Sequence, residues 1–408
     1  MTTPILLLNC GSSSIKYQVI DADSEEVVAS GLIQRIGDGE SLISHTYGGQ
    51  TLQDEHGFAD HAQALSYLVK LFDRVGPKLS EIIAVGHRTV HGGEAFRSTT
   101  LIDDSVIQKL RDLSPLAPLH NPPGIAGILA AQQALPDVPH VAIFDTAFFS
   151  SLPAEAYTYA IPRDIAREHG IRKYGFHGTS HSYVSHKVAE VLGRDYNEMN
   201  QIVCHLGNGA SVSGIRAGVA VEASMGLTPL AGLVMGTRSG DVDPGLHAFL
   251  ERALSMSASD VDALLNKKSG IFGLSGVTDF RDLFELMDAG DADAQLAFDV
   301  YVHRLVSYIG SYMALLGGVD TLTFTAGVGE NAAPVRAAVV NRLEHLGFWL
   351  DEEANATRSR DPRVISRYGS PVTVLVVPTN EELAMARETK AAIGVHSGDP
   401  FDVAVPVG

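Results

Sequence analysis

The chain has 408 residues, 45 % hydrophobic and 19 % charged, enough for roughly two or three domains with sizeable cores and too apolar for disorder. Thirty basic residues stand against 48 acidic ones, and the net charge of -18 argues against nucleic acid or an anionic membrane as partner, while a local basic pocket stays open. Two cysteines, Cys10 and Cys204, rule out a disulfide framework and fit a cytoplasmic compartment. The start MTTPILLLNC lacks a basic leader and no run reaches about 18 apolar residues, so neither a signal peptide nor a membrane helix is expected.

Ile5 to Leu8 form an apolar run that predicts a buried strand, and Asn9 to Ser14 a tight polar turn. Ile15, Tyr17 and Val19 then alternate with Lys16 and Gln18 as a half-buried second strand. The hairpin tip, with Gly11, three serines and nearby Lys16, gathers backbone N–H groups, hydroxyls and a positive charge, the donors that hold a polyanion. VVASGLIQRI and ESLISHTYG read as further strands, and HAQALSYLVKLFDRVG has helical apolar spacing. IIAVGHRTVHGG is a strand whose C-terminal end turns basic and glycine-rich, the end at which open α/β sheets place ligands. SVIQKLRDLSPLAPLHNPPGIAGILAAQQALP reads as two helices broken by Pro115, Pro118, Pro122 and Pro123. VPHVAIFDTAFFSSLP closes a mixed-sheet α/β domain of about 150 residues with a buried strand ending in Asp145 and Thr146.

The second half repeats that outline. KYGFHGTSHSYVSHKVAEVLG is a turn feeding a helix, and NQIVCHLGNGASVSGIRAG is strand, glycine turn, strand. LNCGSSSIKYQV and CHLGNGASVSGI share a pattern without sharing letters, a faint internal repeat that points to two related domains. GLTPLAGLVMGTRSGDVDPG predicts a loop reaching into a cleft; helical patterns follow over about 245–265 and in YVHRLVSYIGSYMALL. TLTFTAGVGENAAPVRAAVV repeats strand, glycine turn and helix; VTVLVVPTN is a last strand, after which Asn380 is placed to cap EELAMARETKAAI. The segment after Gly394 reads as peripheral.

Three glycine-rich turns follow apolar strands, at 9–14, 207–211 and 326–330. None has the GxxxxGK[ST] or GxGxxG spacing, so an anion holder here belongs to another nucleotide-binding class. Arg88 ends a strand, where it serves either a salt bridge or a ligand. Arg238, with Gly236 and Gly240 on either side in MGTRSGDVDPG, needs a carboxylate or a ligand to meet; two guanidinium forks suit an acid substrate and a travelling phosphoryl group. Asp145 either caps the next turn or orients an arginine or a substrate oxygen. His177 sits in a pocket-like context with His181 one helical turn on, but zinc is disfavoured because neither an HExxH glutamate nor a cysteine partner accompanies them. His120 lies among prolines that fix its backbone. Asn9 and Glu381 are hard oxygen donors of the type magnesium takes, since that ion keeps most of its waters. Cys10 is expected to pack, with no catalytic thiolate.

Taken together, NCGSSSIKYQ, GHRTVHGG, LAPLHNPP, FDTAF, YGFHGTSH, HLGNGASV, GLTPLAGLVMGTRSGDVDPG, FTAGVGEN and PTNEELAMARET resemble the acetokinase family, the acetate kinases of the wider actin/sugar-kinase/heat-shock ATPase superfamily. The similarity runs from about residue 4 to 393, with one departure: the family's HNPAN is here His120-Asn121-Pro122-Pro123-Gly124. The resemblance implies two related α/β domains of the actin-like ATPase (ribonuclease H-like) fold, with mixed central sheets and the nucleotide in the interdomain cleft. The first would span 1–149, completed by the helix 383–394; the second, 150–382, would carry nucleotide-binding and dimerisation elements; 395–408 would be a tail. The activity implied is reversible phosphoryl transfer from ATP to acetate, dependent on Mg2+ or Mn2+, by a cytoplasmic homodimer. Carried over by position, Asn9 and Glu381 would hold the metal, and Ser12, Ser14 and Lys16 would line the phosphate path. Arg88 and Arg238 would bind carboxylate and phosphoryl group, with Asp145 orienting them and His177 and His120 stabilising the group in transfer. His205, Leu206, Gly207, Asn208 and Gly209 would form the phosphate loop. Asp279, Phe280 and Arg281, with Gly327, Val328, Gly329, Glu330 and Asn331, would flank the adenosine. Val90, Leu119, Phe176 and Pro229 would wall a small methyl pocket.

Three competing readings stand beside this one. A propionate or broader short-chain carboxylate kinase differs by one methylene, worth only about 1–3 kcal/mol in a pocket. A sugar or glycerol kinase would need hydroxyl-binding residues and a base aspartate, whereas Arg88 and Arg238 favour an acid. A non-enzymatic actin-like ATPase module would bind ATP without carboxylate-dependent turnover.

Overall fold

The computed structural model describes residues 3–118 and 120–394; Leu119 and the tail 395–408 lie outside the described residues. The chain divides into two compact units, one of residues up to Ser150 together with those from Asn380 onward, the other Ser151–Thr379. Among the described residues no helix is long and apolar enough to cross a membrane.

Unit 1 is built on a sheet of β1 (Pro4–Cys10), β2 (Ser14–Asp21), β3 (Val27–Gln34), β4 (Ser41–Tyr47), β5 (Gln50–His56), β6 (Ala84–Thr89), β7 (Thr100–Leu101) and β8 (His140–Phe144), in the order β5-β4-β3-β2-β1-β6-β8-β7. β1, β6 and β8 are parallel neighbours, while β1 to β5 form an antiparallel meander. Alternation in β1 and β2 sends Leu6, Leu8, Ile15, Tyr17 and Val19 into one core with Ala64, Leu65, Leu68, Leu71 and Phe72 of the helix His61–Arg74. The helix Glu381–Ala392 packs against β1, β2, β6 and β8, and Asn380 caps it by accepting from Leu383 N. At Gly86 an added Cβ would stand 2.5 Å from Thr389 Oγ1 and 2.8 Å from Leu7 Cδ2, so only glycine lets this helix lie so close on β6.

Unit 2 carries β9 (Asn200–Leu206), β10 (Ala210–Arg216), β11 (Val219–Ala223), β12 (Thr321–Thr325), β13 (Arg363–Val364) and β14 (Thr373–Val376), ordered β11-β10-β9-β12-β14-β13. Its β11-β10-β9-β12-β14 core has the same succession of pairings, two antiparallel and then two parallel, as β3-β2-β1-β6-β8. The repeat read between two hairpins therefore extends to both sheet cores.

One local expectation is corrected. Pro122 and Pro123 do not break a helix but open one, Asn121–Ala134, because the first turn has no intrahelical N–H bond for proline to lose. The glycine turn read at 326–330 takes the form of a helical turn, Ala326–Asn331. β5, QTLQDEH, went unread because this sheet-edge strand is mostly exposed and has no apolar alternation.

Candidate active site

In unit 1 the parallel strands β1, β6 and β8 end side by side, bringing Asn9, Arg88 and Asp145 to neighbouring strand termini. Asp145 accepts from Arg88 Nε at 2.9 Å and Nη2 at 2.8 Å, a bidentate pair with the carboxylate almost fully buried. Of the two roles open to Asp145 in the sequence, holding an arginine is therefore realised. The Asp145 charge, against the cost of burial, holds the Arg88 guanidinium well above its usual range. Glu381, at the start of its helix, brings Oε2 to 3.9 Å from Arg88 Nη2, and Lys16, opposite Asn9 in the β1–β2 register, pairs with Glu382.

The cluster thus sets two cations against three carboxylates. Glu381 is the incompletely compensated member, and burial raises its carboxyl above the ordinary range despite the pull of Arg88. That shortfall of positive charge, on a helix that packs against the strand carrying Asn9, is of the kind a hard divalent cation would offset. The turn after β1 is anchored by His61, whose Nε2 lies 2.7 Å from Gly11 O, a contact 50 residues away in sequence that nothing in the motif announced. His120 occupies the N-cap position of Asn121–Ala134, and the buried Asn121 beside it donates to His91 O at 3.1 Å. Val90 lies half-buried just beyond β6. The Cys10 thiol is pushed up to about 12 by burial, and that of Cys204 is also raised, so neither is a thiolate at neutral pH.

In unit 2 the parallel strands β9 and β12 pair through His205 and Thr325, so the 207–209 turn and Ala326–Asn331 emerge next to each other. The long segment between β11 and the helix Gly245–Leu254 has no regular structure, and Gly236 N donates to Asn208 O at 3.0 Å, tying it to the β9–β10 turn. Arg238, on that segment, donates from Nη1 to Pro229 O at 3.0 Å and lies 3.7 Å from Met235 Sδ. Among the described residues it forms no ion pair, and burial lowers its pKa. A half-buried guanidinium without a counter-charge among the described residues has the chemistry to receive an anion.

His177 stands at the start of the helix Gly178–Leu192 with φ 59°, a left-handed conformation that costs a side-chain-bearing residue about 1–2 kcal/mol. Its Nδ1 lies 2.9 Å from Ser211 Oγ, and its ring stacks on His205 with centroids 4.2 Å apart. A Cβ added to Gly209 would lie 3.4 Å from His177 Nε2 and 3.6 Å from Arg238 Nη1, so glycine keeps open the space that these two groups flank. His205 and Leu206 are buried strand residues, His205 serving as the platform under His177.

Other sequence candidates find partners within unit 2. Phe280 is buried against Tyr301 and Phe284, while Asp279 and Arg281 pair with each other at the start of the helix Phe280–Asp288. Glu330 spends its carboxylate on Ala326 N and Thr379 N, at 2.9 and 3.2 Å, which supports the unusual φ of 64° at Ala326. Asn331 donates to Gly327 O at 2.8 Å, and Gly329 is buried. Phe176 is buried, and Pro229 contributes its carbonyl to Arg238. Arg336, missed from the sequence, is fully buried and donates to Gly329 O and Glu330 O at 2.9 and 3.0 Å, fixing the Ala326–Asn331 turn.

A model of the acetokinase family matches residues 4–387. An acetate kinase of Leifsonia xyli subsp. xyli is 53 % identical over 391 residues, 95 % of this chain and 98 % of that protein. Among solved structures, an acetate kinase of Porphyromonas gingivalis superposes with a TM-score of 0.91 at 42 % identity, over 96 % of this chain and 100 % of its own. A propionate kinase of Francisella tularensis subsp. tularensis also reaches a TM-score of 0.91, at 38 % identity, over 95 % of this chain and 99 % of its own.

Proposed function

The chain belongs to the acetokinase family, and from that premise we propose that it transfers the γ-phosphoryl group of ATP directly to acetate, giving acetyl phosphate and ADP reversibly. The observation that carries this reading is Arg238, a guanidinium with no carboxylate partner among the described residues, flanking with His177 Nε2 the space at Gly209. A carboxylate is already ionised at neutral pH, so the nucleophile needs no general base. One acetate oxygen bonds to the γ-phosphorus as the bond to the leaving ADP oxygen breaks, and no proton moves. What the protein must supply is alignment and compensation of charge on the equatorial oxygens.

In this reading Arg238 and His177 face those oxygens, and Arg88, held rigid by Asp145, receives the carboxylate. Asn9 and Glu381 would hold Mg2+ through oxygen contacts, which would offset phosphate charge when bound. Ser12, Ser14, Lys16 and the 207–209 turn line the phosphates; Asp279, Arg281 and the backbone of Ala326–Asn331 bound the adenosine; His120 assists; and Val90, Phe176 and Pro229 limit the acyl group. The family resemblance further implies a homodimer, with which the exposed Phe249 and Leu254 of unit 2 are compatible; solution mass determination tests it. Replacing Arg238 by Ala is expected to lower kcat by about 100-fold or more while leaving ATP binding within a few-fold. An unchanged kcat contradicts the assignment.

The similarity to the propionate kinase, equal in TM-score to that with the acetate kinase, favours a second reading in which longer acids also serve. One methylene contributes about 1–3 kcal/mol, so kcat/KM compared across acetate, propionate and butyrate separates the two.

A further inference from the structure

Behind His177 runs a chain of buried groups that direct phosphoryl transfer does not itself require. Ser211 Oγ lies 2.9 Å from His177 Nδ1 and 2.7 Å from His181 Nε2, and Ser213 Oγ lies 2.8 Å from His181 Nδ1. Ser211 and Ser213 are alternate residues of β10 and share a face; His181 is four residues beyond His177 on the helix Gly178–Leu192. Ser211, Ser213 and His181 are all buried. Burial and the neighbouring His205 hold His181 well below the usual imidazole range, so it is neutral, with one nitrogen donating and the other accepting.

Three proton orders satisfy these contacts with His181 neutral, but where His177 Nδ1–H and His181 Nε2–H both donate to Ser211, the buried Ser211 hydroxyl is left without an acceptor among the described residues, and two orders remain. In one, His177 Nδ1–H donates to Ser211, Ser211 to His181 Nε2, and His181 Nδ1–H to Ser213; the Ser213 hydroxyl is then a buried donor whose acceptor is absent among the described residues. In the other, Ser213 donates to His181 Nδ1, His181 Nε2–H to Ser211, and Ser211 to His177 Nδ1, and every donor behind His177 is used. An unsatisfied buried donor costs about 1–3 kcal/mol, which selects the second order.

We propose that Ser213, His181 and Ser211 are positioning residues that hold His177 as the Nε2–H tautomer, so that a neutral donor faces the space beside Arg238 Nη1. The relay rests on the kinase reading for its purpose, since a fixed Nε2–H donates to a phosphoryl oxygen without first taking up a proton. Its geometry does not rest on that reading.

The test is the tautomer itself, read from nitrogen chemical shifts of histidine-labelled full-length protein without substrate, the His177 signals being assigned by their loss in His177→Gln. The expected pattern is protonated Nε2 and unprotonated Nδ1 at neutral pH, turning into a mixture in Ser213→Ala. In the coupled ADP assay Ser211→Ala lowers kcat by about tenfold or more with KM for ATP within about twofold, and Ser211→Thr, which keeps the hydroxyl, restores kcat. A wild-type His177 protonated on Nδ1 overturns the relay, as does a Ser213→Ala protein, folded by circular dichroism, whose tautomer is unchanged. A wild-type protein with the expected tautomer but no carboxylate-dependent turnover overturns the kinase reading and supports the relay.

Discussion

Arg88 and Arg238 are held differently although each lies two residues from a glycine. Arg88 is compensated twice over, by the bidentate Asp145 and by Glu381 at 3.9 Å, and is a rigid part of the site. Asp145→Asn therefore removes half of a buried ion pair, and chemical denaturation should register a loss of about 3 kcal/mol. Among the described residues Arg238 bonds only neutral partners, so Arg238→Ala should change stability little and turnover greatly. Gly209→Ala separates function from folding in the same way. Its Cβ would sit at ordinary contact distance from its neighbours, 3.4 Å from His177 Nε2, yet in the space a phosphoryl oxygen would use. The melting temperature should hold within a few degrees while kcat falls at least tenfold.

At the scale of elements, the fold depends on how closely the helix Glu381–Ala392 seats on β6. Gly86→Ala would drive a methyl to 2.5 Å from Thr389 Oγ1, so overpacking should cost about 1–3 kcal/mol and displace Glu381 from Arg88; a lowered melting temperature together with weakened Mg2+ dependence is the expected result. The buried strands β1, β6, β8, β9 and β12 were legible because an apolar run has one obvious destination. β5 was not, since only pairing along β4 makes its polar residues a strand. Arg88 and Asp145 could be picked out singly, but their pairing 57 residues apart is made by strand order. The contacts of His177 with Ser211 and of Lys16 with Glu382 had no local signal either. His181 was noticed as half of a metal pair; only the face it shares with β10 makes it a relay member instead.

Across the whole molecule, buried histidines are the first groups whose stabilisation is lost as pH falls from neutrality, ahead of the aspartates, among them Asp21, Asp103 and Asp279, whose pKa is lowered. Burial lowers the pKa of His45, His87, His140, His181 and His186, and His87 Nε2 lies 2.9 Å from His140 Nδ1. These groups are neutral in the fold but take up protons in the unfolded chain below about pH 6.5, so their stabilising effect is complete above that pH and is lost as pH falls toward their folded values. Glu330, Glu381 and Glu388, whose carboxyls are raised, act in the opposite sense, because the fold binds their protons more readily than the unfolded chain does. That opposition acts mainly nearer pH 4.5. Melting temperature should therefore fall between pH 7 and pH 5, and less so in His87→Gln than in the wild type when each is referred to its own value at pH 7. The measurement that tests the central claim most directly is ADP formation by the full chain with ATP and Mg2+, with and without acetate, acetyl phosphate being trapped by hydroxylamine. The account predicts ADP that rises with acetate and matches the trapped hydroxamate one to one. ADP formed at the same rate without any carboxylate would contradict it.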